Sequence, residues 1–407
     1  MMYTKKDVLD FVNEEDVKFI RLAFFDVKGR QKNISIMPTE LERAFEEGIA
    51  FDASSIEGFE GPEKSDLFLI PDPSTLAVIP WRPMTGKVVR MFCNIITSEG
   101  EPYRKDSRML LKNACDRLKN ECGIELMVGT EIEFYLFKLD ENGNPTKVPF
   151  DNAGYMDIAP LDHGENIRRD ICFTLEQMGF TPEASHHEEG PGQNEIDFRY
   201  SDVLTAADNV ATFKWIVNTK AAANGLYADF SPKPLAGEAG NGMHINISCH
   251  KTGTQSGDDD SEEMNETLNY ILAGIFNHIE EITYFLNPVE NSYKRLGSAK
   301  ATKYISWGNG NRSALIRIPS SKNKMRLEVR SPDPECNPYI ALTFMIHAAI
   351  DGIKNKLSLQ PSVEENLFDN RTASRLGLKT LPQSLEEARE VAANSMFVKA
   401  VTGDFNL

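Results

Sequence analysis

The chain has 407 residues, too many for one ordinary hydrophobic core, so two or three domains are expected. Hydrophobic residues make up 41% and charged residues 26%, the balance of a globular protein, and the net charge of −17 argues against a nucleic-acid partner. No apolar run is long enough to span a bilayer, the polar N-terminus is unlike a signal peptide, and the six cysteines lack any CxxC spacing. Reduced thiols in the cytoplasm, away from membranes, are the expectation.

A short N-terminal helix precedes residues 17–37, which read as two strands around an Asp-Val-Lys-Gly turn. Residues 39–51 begin with Thr39 and carry Glu42 three residues on, a capping-box signature for a helix. Strand-like stretches at 67–72 and 86–96 follow, so a small α/β domain closes near residue 100. Residues 107–123 form an amphipathic helix that ends at Gly123. Beyond it, strands at 126–137 and 243–249 and a hairpin at 185–200 alternate with helices at 164–179, 205–224, 264–285 and 338–357. Residues 250–266 read as an acidic connecting loop.

The strands carry the chemistry. In GTEIEFYLF (129–137), Glu131 and Glu133 stand two apart and share one face, while Ile132, Phe134 and Leu136 face a core. In SHHEEGPGQNEIDFRY (185–200), a hairpin tip at Pro191 and Gly192 sets Glu188 opposite Glu195. Like charges so placed are destabilising, unless solvent, a shared proton or a bound cation relieves them. His244 in GMHINIS and Glu328 in RLEVRSPDP extend the set. Carboxylates with one imidazole suit Mg²⁺ or Mn²⁺ better than zinc.

Arg295, Arg312, Arg317, Arg326 and Arg330 supply guanidinium groups that bind phosphates and carboxylates. Metal-binding acids with such arginines point to metal-assisted phosphoryl transfer from ATP. A P-loop NTPase is excluded, because no Walker A sequence occurs, and GEAGNGMH lacks dinucleotide-site spacing. His163, His250, His278 and His347 carry no such signal and are assigned to surface or core.

The segments FDASSIEGF, GTEIEFYLF, HHEEGPGQNEIDFRY, SPKPLAGEAGNGMH, NSYKRL, NRSALIRIP and RLEVRSPDPECNPYIAL resemble, in order, the motifs of bacterial type I glutamine synthetase, from about residue 15 to 400. The resemblance implies an α+β chain with an N-terminal β-grasp domain (1–104) and a catalytic domain with a curved antiparallel sheet (105–407). It implies two divalent metals per site, Mg²⁺ or Mn²⁺. Glu133, Glu188 and Glu195 would hold the one nearer the substrate, and Glu131, His244 and Glu328 the one bridging the ATP phosphates. Arg295, Arg330 and Gly240 would bind glutamate, Arg312 and Arg317 the phosphates, and Tyr200 and Ser248 would lie near the nucleotide. Asp52, reaching over from a neighbouring subunit, and Tyr155 would form the ammonium site. The implied assembly is a homo-oligomer, a hexameric ring or two stacked rings. The implied reaction joins glutamate and ammonia through a γ-glutamyl phosphate.

Three positions depart from the pattern. Between NSYKRL and NRSALIRIP the family carries a flap with a Tyr-Glu-Ala-Pro-like core, whereas this chain reads GSAKATKYISWGNG, with Lys300 at the glutamate's place. Ala239 stands where an asparagine contacts glutamate, and Asn246 replaces a second histidine. The short C-terminus makes ring stacking less secure, and Phe368 falls in the region of the modified tyrosine. These changes leave the metal and phosphate sites whole and bear on the acceptor site. Besides glutamine synthesis they admit a γ-glutamyl ligase for another amine, or a weakly catalytic paralogue with a regulatory or assembly role. Low ammonia-dependent turnover is expected, since lysine neither attracts ammonium nor accepts its proton.

Overall fold

The computed structural model describes residues 3–82, 85–254, 262–320 and 325–403. The chain divides into two compact units, Met1–Asn113 with Phe173–Phe180, and Ala114–Cys172 with Thr181–Leu407.

In the first unit, α1 (Lys5–Glu14) opens with a true capping box. The Asp7 N–H donates to the Thr4 hydroxyl at 3.2 Å, and the Thr4 N–H to the Asp7 carboxylate at 2.7 Å. A hairpin of β1 (Val17–Phe25) and β2 (Gln31–Ile36) leads to α2 (Leu41–Glu46) and β3 (Ile49–Asp52). There follow β4 (Asp66–Pro71), β5 (Ala77–Val78) and β6 (Lys87–Ile96). The sheet order is β2-β1-β6-β4-β3, with β5 also on β6, and β1 runs parallel to β6. Ile20, Leu22, Leu41, Leu69, Val89 and Met91 are wholly buried in its core.

The helix expected over 39–51 is much shorter. Neither its 3₁₀ start at Pro38–Glu40 nor α2 has a side-chain cap, and Gly48 at φ +82° stops it. Residues 49–52 then join the sheet, because pairing with β4 buries Ile49 against the core. Asp52 thus ends a strand rather than a helix.

The second unit is organised by a 16-residue strand, β7 (Ile124–Leu139), which follows α3 (Ser107–Cys122). Next come β8 (Pro145–Pro149), α4 (Glu165–Gln177), the hairpin of β9 (Pro182–His187) and β10 (Gln193–Phe198), and β11 (Ser201–Asp202). The chain continues through α5 (Val203–Ala223), β12 (Leu226–Asp229), β13 (Met243–Lys251), α6 (Glu262–Leu286) and α7 (Glu290–Arg295). Three short strands, β14 (Trp307–Asn309), β15 (Ile316–Ile318) and β16 (Leu327–Val329), precede α8 (Pro338–Asn355). The sheet order is β14-β15-β16-β13-β7-β10-β9, antiparallel except between β14 and β15. Ile132, Phe134 and Leu136 are fully buried, as their alternation with Glu131 and Glu133 requires. The connection expected at 250–266 is strand at one end and helix at the other, and residues 255–261 lie outside the described residues.

Candidate active site

The strand register gathers the acids. Glu195 pairs with Glu133, and Asp197 with Glu131, across β10 and β7. His244 pairs with Glu131 from the other side, across β13. Glu328 on β16 lies opposite both Asn246 and Arg317. Side chains paired in this way share a face, so one side of four adjacent strands presents Glu133, Glu195, Glu131, His244 and Glu328 together.

The hairpin differs by two residues from the expected pairing. Its tip is a turn over residues 190–193, closed by the Gln193 N–H donating to the Gly190 carbonyl at 2.9 Å. Pro191 takes the second position and Gly192, at φ +70°, the third, which is the preference of a type II turn. Glu188 therefore faces Gln193, and Glu195 faces His186. An even shift keeps every side chain on its face. Glu188 and Glu195 remain neighbours, and His186, which sequence reasoning did not single out, comes to lie between them at 3.7 Å from each.

Solvent exposure does not relieve these charges, since the side chains of Glu188 and Glu195 are 14% and 9% exposed. Burial first, and then Glu133, Asp197 and Glu188, push Glu195 well above the usual carboxylate range. Burial and Glu133 likewise push Glu188 up. Carboxyls raised in this way are relieved when a cation takes the place of the proton. Glu131 goes the other way. Burial raises it, but the His244 contact and the Asn246 amide prevail and bring it to about 2. The Asn246 amide donates to Glu131 at 2.9 Å, so the residue that departs from the family pattern still orients this acid.

Two clusters could hold a cation. The ligand atoms of Glu131, His244 and Glu328 lie within 4.8 Å of one another, and so do those of His186, Glu188 and Glu195. Oxygen ligands with one imidazole in each cluster suit a hard divalent ion. Glu133 lies beside both, its carboxylate accepting the Gly242 N–H at 2.6 Å. Glu328 is 1% exposed and also paired with Arg317, at 2.6 Å, and Arg330.

Glu131, Glu133, His186, Glu188, Glu195 and His244 line a cavity of about 460 Å³. Its walls include Tyr155, Gly240, Arg295, Arg312, Arg317 and Arg330, and Lys300 stands at its edge with Ala239. Two of the three glycines of GEAGNGMH, Gly240 and Gly242, have a steric cause. A Cβ at Gly240 would lie 2.9 Å from Arg295, and one at Gly242 would meet Arg295 at 2.6 Å and His244 at 2.9 Å. Arg295 itself is buried, donating to the Ser331 carbonyl at 2.8 Å. Tyr200 and Ser248 do not line this cavity. They flank the earlier part of β7, where Ser248 pairs with Met127 and Tyr200 lies against Gly129. Asp52 belongs to the first unit, and its carboxylate is fixed by the Ser54 N–H at 2.9 Å and hydroxyl at 2.6 Å. Lys300 is 69% exposed and ion-paired with Glu189.

A sheet whose one face gathers acids, two imidazoles and arginines follows the smaller N-terminal unit, an arrangement suited to charged, phosphate-bearing substrates. Residues 16–98 match the β-grasp domain of glutamine synthetase, and residues 104–405 match its catalytic domain. The chain belongs to the glutamine synthetase family. It is 47% identical to the glutamine synthetase of Methanosarcina mazei over 98% of this chain and 91% of that one. It is 43% identical to that of Clostridium saccharobutylicum over 99% and 92%. Among solved structures, it resembles ligand-free GmaS (TM-score 0.88, 27% identity) and a Plasmodium falciparum glutamine synthetase (TM-score 0.84, 25% identity), each over 98% of this chain and 93% of the other.

The protein is a C–N bond-forming ligase, and its function is ATP-dependent glutamine synthesis. The readings as a ligase for another amine or a weakly catalytic paralogue are not favoured. Enzymes of this family generally use divalent metals and ATP, with glutamate and ammonia as the other substrates. Among the described residues, no helix is long and apolar enough to cross a membrane.

Proposed function

We propose that the acid-lined face of the sheet is the catalytic centre for this synthesis. Glu131, His244 and Glu328 would hold one Mg²⁺ or Mn²⁺, and Glu133, Glu188 and Glu195 a second, with His186 beside it. These ions would supply positive charge to the transferring phosphoryl group. Arg312 and Arg317 bind the phosphates of ATP, and Arg295, Arg330 and the Gly240 backbone orient glutamate so that its γ-carboxylate faces the γ-phosphorus. The carboxylate oxygen forms a bond to that phosphorus, and the bond to the ADP oxygen breaks. Ammonia then attacks the acyl carbon of γ-glutamyl phosphate, and phosphate leaves. Tyr200 and Ser248 flank the nucleotide.

Asp52 attracts ammonium and accepts its proton, assisted by Tyr155. Hydrogen bonds from Ser54 hold the Asp52 carboxyl below the usual range, so it is ionised when ammonium arrives. Its site lies in a neighbouring subunit of a ring of six, single or stacked in pairs. Mass measurement in solution tests this, and a monomer at micromolar concentration would overturn it. A cytoplasmic location accords with six free cysteines.

One observation carries the reading, the cross-strand gathering of Glu195 with Glu133 and of His244 with Glu131. The test is ATP- and glutamate-dependent phosphate release with ammonia, hydroxylamine and a panel of amines. Release that requires divalent metal and is greatest with ammonia is expected. Release indifferent to chelator would remove the metal assignment.

A further inference from the structure

Beneath the hairpin, on the face opposite the acids, lies a second polar cluster with no part in the chemistry above. His187 is fully buried, its Nε2 lying 2.9 Å from Asp151 Oδ1 and its Nδ1 2.7 Å from the Glu188 carbonyl oxygen. The Asp151 carboxylate also accepts the N–H of Gly192, at 2.9 Å, and of His163, at 3.0 Å. The Met156 N–H donates to the His187 carbonyl at 3.0 Å. Alongside, Arg168 pairs with Asp162 at 2.5 Å and donates to Asn194 Oδ1 at 2.6 Å. Asn194 is the register partner of His187.

Asp151 therefore joins three segments. These are the strand that ends in His187, the hairpin tip at Gly192, and the 151–163 loop that brings Tyr155 to the cavity. Glu188 comes directly after His187, beyond the end of β9, and shares with Glu195 a contact to His186 at 3.7 Å. We propose that Asp151 and His187 are a positioning pair that holds Glu188 at its distance from Glu195 and sets the Tyr155 loop against both. The cluster is unsuited to a cation of its own. The ligand atoms of Asp151, Asp162 and His187 lie within 4.8 Å of one another, but the Arg168 guanidinium already neutralises Asp162.

This inference rests on the metal-binding reading of Glu188 and Glu195, and the test separates the two. Mn²⁺ is titrated, by electron paramagnetic resonance and without nucleotide, into full-length wild type, Asp151→Asn, His187→Leu and His187→Gln. Partners behind metal ligands are generally worth about 10- to 100-fold in affinity, so Asp151→Asn and His187→Leu are expected to weaken Mn²⁺ binding at least ~10-fold. His187→Gln keeps a donor facing Asp151 and is expected to recover most of that loss. Far-UV circular dichroism should stay unchanged, and excess Mn²⁺ should restore part of kcat. A wild type that binds no Mn²⁺ overturns the metal reading. A wild type that binds, with Asp151→Asn and His187→Leu at the same affinity, overturns the positioning pair. Should His187→Leu fail to fold, Asp151→Asn, nearly identical in shape to the native residue, decides alone.

Discussion

Two regions line the same cavity and are built on opposite principles. Glu131, Glu133, Glu195 and His244 are placed by strand register, as is the neighbouring Glu328, 1% exposed between two arginines. Lys300 sits on a short loop closed by turns at Gly297 and Ala301, 69% exposed and held by one ion pair to Glu189. Chemistry that depends on fixed distances is carried by rigid elements, while variation accumulates on loops. The same contrast ranks the consequences of mutation.

The largest effects belong to the sheet. Glu131→Ala removes an acid that both His244 and Asn246 contact. Phosphate release should fall by at least ~10²-fold, the loss typical when one electrostatic stabiliser is deleted. Circular dichroism should show the fold intact, and a near-native rate would refute the register argument. Arg330→Met strikes at the same face through stability. It leaves the buried Glu328 with Arg317 as its remaining guanidinium partner, and breaking a buried pair costs about 3 kcal/mol or more. Urea denaturation measures this, and an unchanged midpoint would mean that Arg317 alone balances the charge.

Metal addition should act next in size. Crowded acids gain when a cation replaces repulsion, and a ligand at 100 times its Kd stabilises the folded state by about 2.7 kcal/mol. The thermal midpoint in chelator should therefore rise on adding millimolar Mg²⁺ or Mn²⁺, and Glu133→Ala should lose much of that rise. Equal midpoints with and without metal would contradict the assignment of the acids as ligands.

The contrast also explains what the sequence made legible. Glu131 and Glu133 were readable because a two-residue period survives any register. The hairpin was readable for the same reason: Pro191 and Gly192 fill the turn as expected, and the pairing alone is shifted by two, with Glu188 facing Gln193 and Glu195 facing His186. His186 and Asp197 went unnoticed. Their alternation with Glu188 and Glu195 was visible, but only long-range pairing with β7 brings Asp197 beside Glu131. The Thr39–Glu42 helix signal was overridden by Gly48 and by the burial of Ile49 in the sheet. Nothing local announces that Arg317 and Arg330 share Glu328, because that contact depends on where β15 and β16 meet.

The smallest effect is expected at Lys300. If its ammonium faced substrate ammonium at 4 Å in a closed site with an effective dielectric near 20, the repulsion would be about 4 kcal/mol. Its exposure brings the surroundings close to bulk water, where the same pair interacts by about 1 kcal/mol, and Glu189 offsets the charge. An exposed pair of this kind is worth about 0.2–1 kcal/mol, so Lys300→Ala should change the KM for ammonium by less than ~5-fold. Lys300→Glu should be worse than Lys300→Ala, since it sets two carboxylates against each other at Glu189. Adding Glu189→Lys should then restore the loop, with a coupling of the same small size in a double-mutant cycle. The contrary result is equally specific. If Lys300→Glu alone raised ammonia-dependent turnover tenfold or more, the lysine would be suppressing an acceptor site that a carboxylate completes. The loop would then belong to the chemistry as firmly as the sheet.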